Sequence, residues 1–431
     1  MSVASCQYLL ALSADLWLLA TDNCPQIGHN PPVMTAYALY LHVPFCRQRC
    51  SYCDFNTYTS LGDLKGAYVS ALATEIAQVG AQAATAGDSR PIVRTVFFGG
   101  GTPSLLSPEQ LESILGAARA AFALEEAAEI TLEANPGTVS RDYLSAIRAL
   151  GINRISYGVQ SALPGELALL GREHDFATAV DAVAMARAAG FDNLNLDLIY
   201  GLPGQSVADW AQTLDSILAL AAAEPIVAHI SLYCLTIEPG TPMQRWLHNG
   251  AILAPDPDVA ADQYELACER LAAAGYGHYE ISNWARPGRE CRHNVVYWRN
   301  EPYLGLGAGA HGMAGGYRYQ VVRQPRAYVR RMGAASEQTD RPFPLSSAVA
   351  DNHKVSREEA MSDTAITQLR LLDEGLDLPT FATRFGRAFD DVYANEVRRL
   401  EDFGLLQRRD GRLLLTDRGR FLSNRVFVEF V

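Results

Sequence analysis

The sequence predicts an α/β fold built on an incomplete (βα)6 barrel, with a small helical domain at its C-terminal end. The chain has 431 residues, which exceeds what one ordinary hydrophobic core accommodates. From position 37, short β-branched or aromatic runs alternate six times with segments of helical periodicity. After about position 275 this alternation stops, and two helical segments and a hairpin follow from position 357. A doubly wound parallel sheet gives the same alternation, so both architectures remain open at this point.

Each of the six predicted units consists of a strand, a loop and a helix. The strands cover 37–43, 93–98, 129–134, 154–159, 193–199 and 226–235, and the helices cover 63–79, a segment after Ser107, a segment from 140, 176–189, a segment from 207, and 259–274. Ser107 followed by Pro108 is a typical helix start, because serine caps the first turn and proline fits its first position. In both candidate architectures ligands bind at the carboxyl ends of the parallel strands. Polar residues that follow the strands are therefore the candidate site.

The chain divides into four predicted parts. They are an extension over 1–33, expected to be poorly ordered; a core over 34–275; a connecting region over 276–350; and a C-terminal helical domain over 351–431. The apolar run 8–20 has no preceding Lys or Arg, is interrupted by Asp15, and is shorter than the ~20 residues of a membrane span. We predict neither a signal peptide nor a membrane helix, and translation beginning at Met34 is an alternative. The expected compartment is the cytoplasm.

The charge balance argues against a nucleic-acid or anionic-membrane partner. The chain has 36 Lys and Arg against 48 Asp and Glu, a net charge of −12. Residues 357–431 hold 12 Arg and no Lys against 14 Asp and Glu, so this part lacks the positive surface of a DNA reader. Eight cysteines in a chain of this length, three of them in one loop, do not form a disulfide scaffold and indicate a reducing compartment.

Three cysteines follow the first predicted strand within eight residues. They are Cys46, Cys50 and Cys53, and the next cysteine is Cys234. Thiolates bind iron and zinc well, but structural zinc draws on two ligand pairs, and no second close pair is present here. A [4Fe–4S] cluster takes four cysteine ligands as a rule, so three would leave one iron open to another ligand. We therefore favour an iron–sulfur cluster with an open position.

The Cys-x3-Cys-x2-Cys loop after the first strand resembles the signature of radical S-adenosylmethionine (SAM) enzymes. Further segments are similar to the coproporphyrinogen-oxidase-like branch of that superfamily; they are Tyr-x-His-x-Pro-Phe-Cys, Gly-Gly-Gly-Thr-Pro at 99–103, Asn-Arg-Ile-Ser-Tyr-Gly-Val-Gln-Ser at 153–161 and Asp-Leu-Ile-Tyr-Gly-Leu-Pro at 197–203. The resemblance runs in order from about Tyr40 to the C-terminus. It implies a TIM-like radical SAM core, in which SAM binds the open iron, and a C-terminal domain similar to a winged helix.

The resemblance also implies which residues bind the cofactors. The expected set is Tyr40, Tyr52, Gly100, Gly101, Thr102, Glu133, Gln160, Arg172 and Asp197. The residue types suit SAM, because glycines permit close approach to a ligand, carboxylates accept hydrogen bonds from ribose or ammonium groups, and arginine holds a carboxylate with two donors. No catalytic residue is assigned.

Two functions compete within this branch. Oxygen-independent coproporphyrinogen III oxidases, which decarboxylate porphyrin propionates oxidatively, carry a fourth cysteine two residues after the third, where this chain has Phe55. HemW-type haem chaperones instead share Cys-x-Tyr-Cys-Asp-Phe and a later His-Asn-x-x-Tyr-Trp, and this chain has both, the second at His293–Trp298. The resemblance implies that His293 binds haem, which is delivered to haem-dependent proteins. A packed aromatic turn with a hydrogen-bonded histidine is the alternative. Expected partners are haem, haem-accepting proteins, an electron donor if SAM is cleaved, and a second copy in a homodimer.

Overall fold

The structure, a computed structural model, describes residues 36–85, 90–334 and 340–431. The predicted extension over 1–33 and the alternative start at Met34 lie outside the described residues. Within the described ranges, no helix combines the length and the apolar character needed to cross a bilayer.

The first part of the chain consists of six βα units. The elements are β1 Ala36–Val43, α1 Lys65–Thr85, β2 Ile92–Gly100, α2 Pro108–Ala121, β3 Ala123–Ala134, α3 Arg141–Ala149, β4 Arg154–Gln160, α4 Pro164–Leu170, α5 Phe176–Ala188, β5 Leu194–Tyr200, α6 Val207–Ala223, β6 Val227–Cys234, α7 Pro242–His248 and α8 Pro257–Ala273. Ser107 accepts a hydrogen bond from the backbone of Gln110, whose side chain bonds back to Ser107, so the predicted start of α2 is a capping box. Helices α4 and α7, which have seven residues each, were not predicted from the sequence.

The strand order decides between the two candidate architectures. Strands β1 to β6 pair consecutively and in parallel. A doubly wound sheet reverses its order at a switch point, and no reversal occurs among these six strands. The α/β fold with an incomplete (βα)6 barrel is therefore confirmed.

The connecting region adds more strands to both edges of the same sheet. Its elements are β7 Gly277–Glu280, β8 Asn283–Ala285, α9 Arg292–Trp298, β9 Tyr303–Leu306, β10 His311–Ala314, β11 Tyr317–Val321, α10 Pro325–Gly333 and β12 Val349–Lys354. Strand β9 pairs in parallel with β1, and β10 to β12 continue outward as an antiparallel meander. On the other edge β8 pairs antiparallel to β6 and carries β7. The described sheet has twelve strands and remains open, because β12 and β7 are its two ends.

The C-terminal part is a small, mainly helical unit with its own core. It contains α11 Arg357–Gln368, β13 Leu376–Asp377, α12 Leu378–Phe385, α13 Asp390–Asp402, β14 Leu406–Arg409, β15 Arg412–Leu415, α14 Asp417–Phe421 and α15 Ser423–Phe427. Two buried ion pairs join this unit to the large sheet: Arg370 donates to Glu280 over 3.2 Å, and Arg318 donates to Asp363. Such pairs position two units specifically, since breaking one leaves a buried charge without its partner.

Candidate functional site

The carboxyl edge of the barrel strands gathers the residues that the sequence singled out. Gly100 and Gln160 end β2 and β4, Glu133 is the last residue but one of β3, and Asp197 lies in the middle of β5. The register places Glu133 opposite Ser156, and Gly158 opposite Asp197, in adjacent strands. These polar groups therefore share one edge of the sheet, as the parallel arrangement requires.

Glu133 and Asp197 form a pair of neighbouring acidic groups at this edge. Burial, with the nearby charge of Asp197 as the second cause, raises the pKa of Glu133 to about 8. Burial also raises the pKa of Asp197 above its usual value. Each of two neighbouring carboxyl groups disfavours the ionisation of the other. A cation placed between or beside them stabilises both as anions. The pair therefore suits a positively charged ligand.

A polar network below this edge holds Asp197 in place. Asp197 accepts hydrogen bonds from Ser156 Oγ at 3.0 Å and from Asn195 Nδ2 at 2.8 Å. Asn195 Oδ1 contacts His229 Nδ1 at 2.6 Å, and His229 Nε2 contacts the hydroxyl of Tyr279 at 2.8 Å. Burial holds the pKa of His229 well below its ordinary value, so the ring stays neutral. Since an amide oxygen only accepts, Nδ1 donates to Asn195 and Nε2 accepts from Tyr279.

This network was not predicted from the sequence, although the sequence contains a signal for it. Asn195 and Asp197 are two positions apart in β5, and His229 and Ser231 are two positions apart in β6. Residues at this spacing share one face of a strand. Polar residues alternating within otherwise apolar strands indicate a polar barrel interior.

The cysteine loop between β1 and α1 is anchored at several points. The backbone N–H of Cys46 donates to Tyr58 O at 3.1 Å. Ser51 makes three contacts: its hydroxyl donates to Leu169 O at 2.6 Å, its N–H donates to Leu170 O at 3.1 Å, and its carbonyl accepts from Met243 N at 3.0 Å. Helices α4 and α7, which the sequence analysis missed, therefore carry the supports of this loop.

Two of the three thiols have side-chain hydrogen-bond donors beside them. Thr102 Oγ1 donates to Cys46 Sγ at 3.7 Å, and Arg172 Nη1 donates to Cys50 Sγ at 3.3 Å. Burial, together with charge on Cys50 and Cys46, raises the pKa of Cys53 to about 12. Donors and a cation beside sulfur stabilise the thiolate form that binds metal.

The ligand types on the loop suit an iron–sulfur cluster. Among the described residues, no group of three or more His, Cys, Asp or Glu side chains converges on one metal ion. In a cube each cysteine binds a different iron, so three sulfurs around a [4Fe–4S] cluster are not required to meet at one point. The donor set, three cysteines on an anchored loop, is compatible with the cube and unsuited to a closed zinc site.

Gln160 and Arg172 leave polar atoms available beside the loop. Within the described part of the chain, Gln160 Oε1 and Arg172 Nε are buried and have no hydrogen-bond partner. Gln160 also has a φ of 72°, which is costly for a residue with a side chain. Arg172 Nη2 donates to Gly158 O at 2.6 Å and to Asn135 Oδ1. A ligand with its own donors and acceptors would satisfy these buried atoms, as an amino-acid or ribose group does.

Tyr40 and Tyr52 have different surroundings. Tyr40 is wholly buried in β1, where its hydroxyl contacts His42 Nδ1 at 3.1 Å and its ring stacks on Phe97. Tyr52 lies in the cysteine loop beside Arg172, and burial, together with charge on Cys50, keeps the pKa of its phenol well above the ordinary value. Tyr40 is therefore a packed residue of β1, while Tyr52 packs against an apolar cluster that includes Leu170 and Met243.

Gly100 and Gly101 are required by packing within the protein. Gly100 has a φ of +109°, and a Cβ there would lie 2.4 Å from the ring of His42. A Cβ on Gly101 would lie 2.6 Å from Phe45 O. From the sequence, these glycines were predicted to permit close approach of a ligand. In the structure, glycine is also the only residue type at these two positions that lets the end of β2 pack against the start of the cysteine loop.

His293 lies inside the core and has both ring nitrogens occupied. It is 0% exposed; Nδ1 contacts Thr95 Oγ1 at 2.8 Å and Nε2 contacts Tyr297 OH at 2.9 Å. The ring packs on Phe97 with centroids 5.0 Å apart, and burial lowers the pKa of His293 to about 3. In this structure His293 offers no free nitrogen and no exposed face to a haem iron. Its surroundings are those of the packed, hydrogen-bonded alternative.

Comparison with known proteins gives family matches over most of the chain. Residues 40–217 match the model of the radical SAM superfamily, and residues 355–422 match the HemN C-terminal domain. The chain is 39% identical over 402 residues to heme chaperone HemW of Mycobacterium tuberculosis, covering 93% of this chain and 96% of that protein. It is 34% identical to heme chaperone HemW of Bacillus subtilis (strain 168), covering 91% of this chain and 98% of that protein.

A solved structure has the same fold over nearly the whole chain. The coproporphyrinogen III oxidase HemN of Escherichia coli, described as a radical SAM enzyme, has a TM-score of 0.76 and 26% identity. The match covers 92% of this chain and 90% of that one. These findings confirm the resemblance and the fold class that the sequence predicted.

Replacing His293 tests whether it is a core residue. We expect His293→Ala to lower the free energy of unfolding by about 3 kcal/mol, because it leaves a cavity and strands two buried hydroxyls. The measurement is the shift of the urea midpoint, with the exposed His248→Ala on α7 as control. An unchanged midpoint combined with loss of haem absorption would instead make His293 a free ligand.

Proposed function

Because the chain belongs to the HemW family of radical SAM proteins, we propose that it is a cytoplasmic haem chaperone that holds a [4Fe–4S] cluster, binds SAM, and delivers haem to haem-dependent proteins. The proposal rests on one observation above the others: identity of 39% extends over 93% of the chain to a protein named heme chaperone HemW. Phe55 agrees with it, since the cysteine expected of the oxidases is absent at that position.

The cluster ligands in this proposal are Cys46, Cys50 and Cys53. When bound, the cluster with SAM supplies one-electron chemistry that ordinary side chains lack. The chain's own residues hold and shield this site. Thr102 and Arg172 donate to two of the sulfurs, and hydrogen bonds to cluster sulfur are among the factors that set a cluster's reduction potential.

The SAM contacts in this proposal follow from the charges at the strand ends. Glu133 and Asp197 match the positive charges of SAM, and the unpartnered Arg172 Nε and Gln160 Oε1 match its polar groups. The remaining SAM contacts in this proposal are Tyr40, Tyr52, Gly100, Gly101 and Thr102. His293 is left out of the ligand-binding set, because its nitrogens are already hydrogen bonded.

A second function has one observation in its favour. HemN of Escherichia coli, which is named a coproporphyrinogen III oxidase, shares the fold at a TM-score of 0.76 over 92% of this chain. The alternative activity is therefore oxidative decarboxylation of porphyrin propionates.

One anaerobic experiment separates the two functions. The cluster-reconstituted full chain is given coproporphyrinogen III with SAM and reductant, and in parallel is loaded with haem and mixed with an apo-haemoprotein. We expect haem to move to the acceptor, followed by its absorption spectrum, with no decarboxylated porphyrin detected by mass spectrometry. Formation of decarboxylated porphyrin would refute the chaperone proposal, and so would a failure of the full chain to bind haem.

The raised pKa of Glu133 gives a pH-dependent prediction for SAM binding. A cationic ligand prefers the ionised carboxylate, and that form increases as the pH rises through about 8. We expect the affinity of the reconstituted protein for SAM to rise between pH 6.5 and 8.5. Glu133→Gln should weaken binding by roughly tenfold or more and flatten this rise, because a charge-assisted interaction is lost.

Isothermal titration of SAM at several pH values measures both effects. The matched control is Glu126→Gln, which removes an exposed carboxylate at the other end of the same strand. Any titration of SAM itself is common to all three proteins. Equal pH dependence in wild type and Glu133→Gln would remove Glu133 from the site.

A further inference from the structure

Arg154 is a buried cation in the interior of the barrel. It is the first residue of β4 and is 2% exposed. It shares a face of β4 with Ser156, two positions further on, whose hydroxyl donates to Asp197. The register pairs Arg154 with Thr131 and Ser156 with Glu133. Arg154 therefore lies two residues, about 7 Å along the strand direction, below the level of Glu133.

The guanidinium of Arg154 has no direct acidic partner. Within the described ranges its Nε is buried without a hydrogen bond, and no ion pair includes it. Two other buried arginines differ, because Arg318 pairs with Asp363 and Arg370 pairs with Glu280. A buried charge without a direct partner is costly, so opposite charges nearby must stabilise it through space.

Those opposite charges come from the neighbouring strands. Glu129 on β3 and Asp197 on β5 both stabilise the cationic form of Arg154. Burial and the charge of Asp197 raise the pKa of Glu133, whereas the charge of Arg154 lowers it. Burial keeps the pKa of each remaining titratable group around these residues on the neutral side of pH 7; the groups are Tyr40, His229, Tyr279, Cys291 and His293. Arg154 is therefore the cation that acts on three carboxyl groups.

We propose that Arg154 is a positioning residue of the SAM site, whose charge keeps Glu133 and Asp197 ionised for the cationic groups of SAM. The inference rests on the proposed function and deepens it, because Arg154 is not among the SAM contacts named above. A direct ion pair would occupy the carboxylate oxygens that a ligand needs. A cation placed below them, toward the amino end of β4, favours their anionic forms and leaves those oxygens available.

Isothermal titration of SAM between pH 6.5 and 9.5, with the cluster-reconstituted full chain, tests this role. We expect Arg154→Met to move the rise of affinity with pH upward by about one unit, because Glu133 then ionises only at higher pH. Affinity near neutral pH should fall by up to about tenfold, the equivalent of one pKa unit. Arg154→Lys retains the charge and should keep the rise near its wild-type pH. The matched control is Arg141→Met, which removes an exposed arginine of α3.

A second pair of variants keeps the test decisive if Arg154→Met does not fold. Glu129→Gln/Arg154→Met removes the cation together with the acid beside it, so no charge at this level is left unopposed. Glutamine keeps an oxygen that can accept from His293 N, which Glu129 does over 3.1 Å. Relative to Glu129→Gln alone, the double variant should show the same upward shift of about one pH unit.

Two results would overturn the positioning role while leaving SAM binding intact. One is a rise that stays at the same pH in both comparisons, with affinity either unchanged or lowered equally at every pH, which would make Arg154 a structural residue only. The other is an Arg154→Lys profile shifted as far as that of Arg154→Met. A wild-type chain that binds no SAM at any pH would overturn the proposed SAM site and this inference together.

Discussion

The site depends on how β1 and β2 continue into the cysteine loop. Beyond the last paired residues, Gly101 N donates to Val43 O and Thr102 N donates to Phe45 O, each over 2.8 Å. These bonds extend the parallel ladder until it reaches Cys46, beside which Thr102 places its hydroxyl. The approach is so close that no side chain fits at Gly101. The position of the first thiol is therefore fixed by the sheet itself, and a sheet is a more rigid support than a loop.

The same edge concentrates buried acidic groups, with Arg154 as a nearby cation of the protein itself. Two acidic groups, Glu133 and Asp197, lie where burial disfavours their ionisation, and Arg172 directs its guanidinium toward Cys50. Preformed sites of this kind bind a complementary ligand without reorganising. The free energy needed to bring the like charges together is supplied by folding, before the ligand binds. The buried network through Asn195 and His229 supplies that rigidity.

The sequence predicted the parts of this structure that depend on local pattern. The six βα units, the cap at Ser107 and the clustering of strand-end residues follow from periodicity and from the geometry of parallel sheets. The added strands could not be predicted in this way, because β9 pairs with β1 across more than 250 positions.

His293 shows the same limit: Thr95, its partner at 2.8 Å, is 198 positions away. A motif of histidine, tyrosine and tryptophan has the same spacing whether it binds a ligand or packs a core, and only the fold separates the two. The short helices α4 and α7 were missed because seven residues carry too little periodicity.

The central claim is that three cysteines on a sheet-anchored loop leave one iron of a cube to SAM. Electron paramagnetic resonance of the reduced, reconstituted full chain during a SAM titration tests it most directly. The account predicts a four-iron signal that SAM changes in the wild type and in Cys234→Ser, and whose intensity is largely lost in Cys50→Ser. A wild-type signal that SAM leaves unchanged, or a full signal in Cys50→Ser, would contradict it.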